Sequence, residues 1–322
     1  MTKKRTAIIF SRQPASFIKK LIQILRRREY EVPLVVSCPG PGYILAGEAS
    51  ASMGHNVGAI MDEIDNPPAV LCITKMSQVE KIYEALDPDL ALAFAFSYQI
   101  TSRLLSHRAP FVNMHPTRLP YGRGPHPYYW ISLHPDLYPP SEHAVTWQYM
   151  SKEYDQGRII LQKAAPLLVN QPDCVQMLDV SKEAFIDSAD EVFQLIEDGF
   201  QGTEQSELVK NGDKMHSEAL EYMKFPSDEQ RTITSNMSIE EVQNLHRSVQ
   251  HPFSALFRYN GELYYVIRVT PVTQEEVGSL ATRLPDADSG NGDTTNGAQK
   301  RVGSNLLQTF RDGTLSMAIR KV

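Results

Sequence analysis

The stretch Phe111-Val112-Asn113-Met114-His115-Pro116-Thr117-Arg118-Leu119-Pro120-Tyr121-Gly122-Arg123-Gly124 is the most informative in the chain. Residues 111–114 form a short, mostly apolar run that predicts a strand. Asn113 and His115 stand two apart at its end, and alternate residues of a strand project from one face. Pro116 and Pro120 bar both a helix and a central strand beyond that point. A rigid loop must follow, lying beside the two polar side chains.

Upstream, strands and helices alternate. Residues 7–10, 32–36, 69–73 and 90–96 are apolar runs suited to buried strands. Phe17, Ile18, Leu21, Ile22 and Leu25 recur at helical spacing, with Arg26, Arg27 and Arg28 at the end where cations are favoured. Val79, Ile82, Tyr83 and Leu86 mark another helix. This βαβ pattern predicts an α/β domain with a mainly parallel, twisted sheet and helices on both faces. Such sheets bind ligands at the carboxyl ends of their strands, which is where Asn113 and His115 fall.

Downstream the period changes. Val145, Trp147 and Tyr149 alternate with Thr146, Gln148 and Met150, which predicts a half-buried strand. Asp155-Gln156-Gly157 reads as a turn, 159–162 as the returning strand, and 174–196 as a helix with Val175, Leu178, Phe185, Val192 and Leu195 inward. A catalytic domain over 1–200 is expected, then a polar linker over 201–230 and a small C-terminal β-barrel over 231–322. Ser238-Ile239-Glu240-Glu241 has capping-box spacing, and Asn260-Gly261 predicts a hairpin. Residues 284–300, rich in Gly, Asp, Asn and Thr, are expected to be a disordered insertion.

With 322 residues and 42% apolar content there is material for two packed cores. Acidic residues outnumber basic ones, 38 to 32, for a net charge of −6. Chains that live by binding phosphate backbones carry a basic surplus or stripe, so the totals disfavour a nucleic-acid partner. Cys38, Cys72 and Cys174 fit neither a zinc site nor a disulfide framework. Cys72 lies in an apolar run and is expected to be a buried thiol, and a cytoplasmic location follows from reduced cysteines. No stretch approaches the roughly 18 apolar residues that span a bilayer, and the N-terminal apolar run is too short for a secretory signal. No membrane partner is expected.

An amide, an imidazole and a carboxylate suit acyl transfer. The Asn113 carboxamide can donate to an oxyanion. His115 can donate as well, or move a proton. Asp155 can orient His115, or take the proton of an attacking amine through a water. Each has a plainer reading, as a satisfied core group or a turn former. Their order in the chain, with Pro116, Pro120, Arg123-Gly124 and Gly157 in register, favours chemistry. His107, His126, His134 and His143 match no ligand spacing, so no metal is expected. Gly40-Pro41-Gly42 with Gly47 departs from a nucleotide-binding loop and reads as a turn.

Taken together, Asn113-x-His115, Leu119-Pro120, Arg123-Gly124 and Asp155-x-Gly157 resemble the signature of the folate-dependent formyltransferases. Pro88-Asp89 before the fourth strand is similar as well. His251-Pro252-Phe253 resembles the corner that opens the C-terminal barrel of the methionyl-tRNA formyltransferases, the branch nearest in layout. The resemblance covers most of the chain. It implies a Rossmann-like formyltransferase fold with an OB-like barrel, and a catalytic triad of Asn113, His115 and Asp155. It implies 10-formyltetrahydrofolate as donor, held by the loop of Thr117, Arg118, Leu119 and Pro120 and by Gly157. Phe94, Phe96 and Tyr98 are expected to line the pterin slot. It also implies attack of a neutral amine on the formyl carbon.

Two departures bear on the acceptor. The tRNA enzymes carry a basic loop after the second strand, whereas here no Lys or Arg occurs between Arg28 and Lys75. Glu48, Asp62, Glu63 and Asp65 occur there instead. The first strand ends in Phe10-Ser11-Arg12-Gln13-Pro14 rather than a Gly-containing turn. The expectation is a small-molecule amine acceptor. Methionyl-tRNA formylation is the alternative, and hydrolysis of the same folate is a second.

Overall fold

A computed structural model describes residues 4–12, 15–38, 64–167, 173–209, 217–249, 254–273, 276, 299–302 and 305–322. The Gly40–Gly47 turn, Glu48, Asp62 and Glu63, the 251–253 corner and nearly all of the 284–300 stretch lie outside these residues. The chain divides into two compact units. The first comprises Met1–Gly124, Ser141–Pro166 and Asp179–Tyr222; the second comprises Pro125–Pro140, Leu167–Leu178 and Met223–Val322.

The first unit is built on a seven-stranded sheet. Its strands are β1 (Arg5–Ser11), β2 (Tyr30–Ser37), β3 (Ala69–Cys72), β4 (Leu90–Phe94), β5 (Phe111–His115), β6 (Ala144–Tyr149) and β7 (Ile159–Ala164). They lie in the order β3-β2-β1-β4-β5-β6-β7. Pairing is parallel from β3 to β5 and antiparallel for β6 and β7. Helices α1 (Ala15–Arg27), α2 (Ser77–Leu86), α3 (Ser102–Leu105) and α5 (Cys174–Glu197) accompany these strands.

Alternate residues of the strands feed two cores. Ile8, Phe10, Leu34, Val36, Ala91, Ala93 and Phe111 pack with Val79 and Tyr83 of α2 and Leu104 of α3. Elsewhere Phe94 meets Phe17 of α1 and Phe185 of α5, and Trp147 meets Phe185 and Phe193. The Trp147 indole N–H donates to Ser188 Oγ at 2.9 Å, so the polar edge of this buried ring is satisfied.

Three local expectations change here. Cys72 is exposed, because β3 is the edge strand and turns that side chain outward. Val175 is also exposed, since it falls on the outer side of α5 next to buried Cys174. The predicted half-buried strand β6 is buried on both faces: Thr146 and Gln148, read as solvent-facing, are 0% and 2% exposed.

The second unit holds α4 (Pro127–Leu133), β8 (Thr232–Ile233), α6 (Ile239–Ser248), β9 (Ala255–Tyr259), β10 (Glu262–Val272), β11 (Gln299–Val302), β12 (Asn305–Phe310) and β13 (Gly313–Lys321). Asn260 and Gly261 turn β9 into β10 with φ of 49° and 78°, as the hairpin reading requires. The expected barrel is corrected. Among the described residues the strands form an open sheet in the order β11-β12-β13-β10-β9-β8. Val242 and Leu245 of α6 and Tyr129 of α4 pack in the same core as Tyr264, Val266, Leu315 and Met317. The helices cover the apolar face, so burial does not demand closure of the sheet.

The capping box at α6 is present in full. Ser238 Oγ accepts from Glu241 N at 3.1 Å, and the Glu241 carboxylate accepts from Ser238 N at 2.6 Å. Ser238→Ala is expected to lower stability by about 1 kcal/mol, read as a lower midpoint of denaturant unfolding. An unchanged midpoint would mean that tertiary packing alone holds this turn.

Candidate active site

The site is built on the carboxyl end of β5. Phe111 packs toward α2, so Asn113 and His115, at steps of two, share its face of the sheet. Register places Asn113 opposite Gln148 and His115 opposite Thr146, and Thr146 opposite Gln162 on β7. The end of this face is therefore a polar ladder across three strands.

The loop after β5 is what buries the ladder. Thr146 Oγ1 donates to Thr117 O at 2.7 Å and accepts from Leu119 N at 3.1 Å. Gln162 Nε2 donates to Leu119 O at 2.5 Å. The Thr117 hydroxyl donates to Tyr121 O and Gly122 O, at 2.8 and 3.1 Å. The Leu119–Pro120 peptide is cis. Two further bonds anchor the loop: Gly122 N donates to Ala219 O at 2.8 Å, and Arg123 Nη2 to Leu220 O at 2.6 Å.

His115 is 4% exposed and held at both ring nitrogens. Nε2 lies 3.0 Å from Gly122 O. A carbonyl only accepts, so Nε2 carries a proton. Nδ1 lies 3.4 Å from Asp155 Oδ1. The other oxygen of Asp155 accepts from Gly124 N at 2.9 Å, and Gln148 Nε2 is 3.4 Å from Oδ1. Burial pulls the imidazole toward neutrality, but the Asp155 charge and hydrogen bond with the Gly122 carbonyl outweigh it, and its pKa is raised. Burial likewise pushes Asp155 up. His115, the Gly124 N–H and Arg123 outweigh that push, and its pKa is lowered. The two shifts are mutual: each group favours the charged form of the other.

Asn113 is partly exposed, and among the described residues its carboxamide has no hydrogen-bond partner. His143 is a contrasting buried imidazole. It lies 3.2 Å from Ser181 Oγ, and burial pushes it down to about 4. Among the described residues no group of His, Cys, Asp and Glu is arranged to hold a metal ion, and no helix is long and apolar enough to cross a membrane.

The structure thus brings His115 and Asp155 together, with Asn113 one step back along the same strand face. It separates the aromatic trio. Phe94 is 2% exposed and packs against Phe17 and Phe185, whereas Phe96 packs against Phe10 and Tyr98. The strand ends at Phe94, and Ala95 at φ 49° breaks the alternation. Thr117 and Leu119 are buried and brace the loop instead of facing outward, and Pro120 is buried too. Arg118 is partly exposed and lies 3.5 Å from Glu142. At Gly157 a Cβ would sit 1.6 Å from Tyr149 O, so this glycine permits a backbone contact behind Asp155.

Gln148 is a site residue that sequence reading missed, because an outward polar residue on an alternating strand gives no sign that other residues will cover it. A separate cavity of about 790 Å³, lined by Lys4, Arg5, Arg26 and Tyr30 among others, lies at the amino ends of β1 and β2, opposite to the site.

The fold is that of an open α/β sheet with a polar centre where its strands end, the place where such sheets bind ligands. The chain belongs to the formyl transferase family, whose model matches residues 4–181. The methionyl-tRNA formyltransferase of Syntrophus aciditrophicus (strain SB) is 27% identical over 171 residues, 51% of this chain and 50% of that protein. The chain thus matches about half the length of such curated relatives. Among solved structures, HypX from Aquifex aeolicus in complex with tetrahydrofolic acid superposes with a TM-score of 0.62 at 16% identity, covering 99% of this chain and 44% of that one. A sugar N-formyltransferase from Shewanella sp FDAARGOS_354 gives 0.56 at 16% identity, covering 81% and 96%.

Proposed function

We propose that the chain transfers a formyl group from 10-formyltetrahydrofolate to the primary amine of a small molecule. One observation carries the reading: a partly exposed carboxamide, Asn113, shares a strand face with a buried imidazole, His115, that is paired with the Asp155 carboxylate. That is a donor for an oxygen gaining negative charge, an imidazole whose protonated form the site favours, and a carboxylate that can receive a proton.

The donor supplies an activated formyl carbon. Asn113 donates to its oxygen while the amine nitrogen forms the new C–N bond. The surplus amine proton passes to Asp155 through a water, and Asp155 returns it to the folate nitrogen as the bond from that nitrogen to the formyl carbon breaks. His115 acts through Asp155 and through charge. Both its N–H groups are engaged within the protein, so direct donation to the oxyanion falls to Asn113 alone. Phe96, Tyr98, Arg118 and the backbone of the 117–120 loop supply the donor's binding surface. Phe94 is reassigned to the core and Gly157 to the hairpin.

The tetrahydrofolate bound to HypX supports the donor. That the Shewanella protein is a sugar N-formyltransferase supports a small amine, as do the net charge of −6 and the lack of Lys or Arg between Arg28 and Lys75. The second reading, methionyl-tRNA formylation, is favoured by the names of the curated relatives.

Asn113→Ala tests the reading directly. Amine-dependent release of tetrahydrofolate is expected to fall roughly 10²–10³-fold in kcat, with the unfolding midpoint preserved. Wild-type turnover in this variant would remove Asn113 from the chemistry.

A further inference from the structure

The back of the Asp155 hairpin is gripped by a stretch whose composition reads as a connector. Thr203 forms an antiparallel bridge with Ile159, each N–H donating to the other's carbonyl at 2.8 Å. Tyr149 OH donates to Phe200 O from the neighbouring strand. These bonds seat Gln205, the first residue of a 3-10 turn over Gln205–Leu208, beside the hairpin. Its Nε2 donates to Asp155 O at 2.8 Å and to Gly157 O at 2.9 Å. A carboxamide has two N–H protons, and they serve chiefly the two carbonyls that flank Gln156, with a longer contact shared to a third acceptor.

The same nitrogen lies 3.4 Å from Gln148 Oε1. The Oε1 end of the buried Gln148 amide thus faces Gln205, and its Nε2 end faces Asp155 Oδ1 at 3.4 Å. Gln205 therefore constrains Asp155 twice: through its backbone, which sits at a φ of 53°, and through its carboxylate by way of Gln148. Asp adopts that left-handed region more readily than most residues, and the two Gln205 bonds pin the carbonyls on either side of the turn.

We infer that Gln205 is a positioning residue, which keeps the Asp155 carboxylate in reach of His115 Nδ1, and that the 200–208 segment is part of the catalytic machinery and not a linker. The inference rests on the proposed role of the His115–Asp155 pair.

Gln205→Met preserves the length of the side chain and removes both donors. It is expected to lower kcat about tenfold to a hundredfold, the scale of a small misplacement of a reacting group, while the KM for 10-formyltetrahydrofolate holds. The His115 titration, followed by NMR of the imidazole, is expected to move to lower pH as Asp155 drifts away. Gln205→Lys restores N–H donors at similar reach and is expected to recover most of kcat, although its added cation keeps the His115 titration low. A Met variant with the wild-type His115 titration and kcat would overturn the inference. So would a Met variant that loses thermal stability alone, or a Lys variant no better than Met in kcat. The NMR titration needs no turnover, so a wild-type protein without formyl transfer would sink the functional reading and leave this test of Gln205 intact.

Discussion

Asp155→Asn is expected to move the His115 titration from above the ordinary imidazole value of 6.5 to below it, and to slow formyl transfer. The shift has a simple origin. In the native site burial favours neutral imidazole, and the Asp155 charge more than reverses this. Asparagine keeps the shape and removes the charge, so burial decides. With no carboxylate to take the amine proton, turnover is expected to fall by roughly 10²–10⁴-fold.

The pH dependence of stability has a definite sign. Asp155 has a lowered pKa, so its contribution is complete above the unfolded carboxylate value of 3.8 and is lost as pH falls through the native value. His115 has a raised pKa, so its contribution is complete below 6.5 and is lost as pH rises through the native value. The pair therefore stabilises most between those two ordinary values, and the Asn variant should lose stability chiefly in that window. His143, neutral down to about 4, supplies an internal control whose signal should not move. A His115 midpoint that is the same in both proteins would show that Asp155 does not govern it.

Gly157→Ala is expected to be the most damaging single-methyl change in the site. The added carbon would lie 1.6 Å from the Tyr149 carbonyl oxygen, a backbone atom that belongs to β6 and cannot rotate away. Tyr149 N is already bonded to Arg158 O at 2.9 Å, so the clash falls inside the hairpin's own ladder. Overpacking of this kind costs about 3 kcal/mol. Relief requires the turn to shift, which carries Asp155 away from His115 and from Gly124 N. Both a lower unfolding midpoint and loss of amine-dependent turnover are expected. Wild-type stability with full turnover would mean that the turn lies elsewhere in solution.

The features that were legible in the sequence are those written locally. The Phe111–His115 strand, the prolines that end it, the Ser238 capping box and the Asn260-Gly261 turn each declare themselves within a few residues, and each is present. The coming together of His115 and Asp155 rested on a resemblance, because nothing local in Asp155-Gln156-Gly157 says which imidazole it will face. What stayed hidden depends on distant coverage. Thr146 and Gln148 alternate like surface residues; the loop after β5 covers Thr146, while Asp155 and Gln205 lie against Gln148. Phe94, Phe96 and Tyr98 keep the spacing of one strand face, but Ala95 adopts a left-handed φ and splits them between two sides. Gln205 sits in polar surroundings, and its role exists only because Thr203 bridges to Ile159. The open C-terminal sheet escaped the reading for a related reason. Strand count and turns are local, but closure is decided by whether helices already cover the apolar face.

The most direct test of the account follows the formyl carbon itself. The chain is incubated with 10-formyltetrahydrofolate labelled with ¹³C in the formyl group, together with a panel of small primary amines, including amino sugars, and methionyl-tRNA, and the labelled product is identified by mass spectrometry. Label is expected on a small amine, and Asp155→Asn is expected to lower its appearance roughly 10²–10⁴-fold. Label found only in free formate, or only on methionyl-tRNA, would contradict the account.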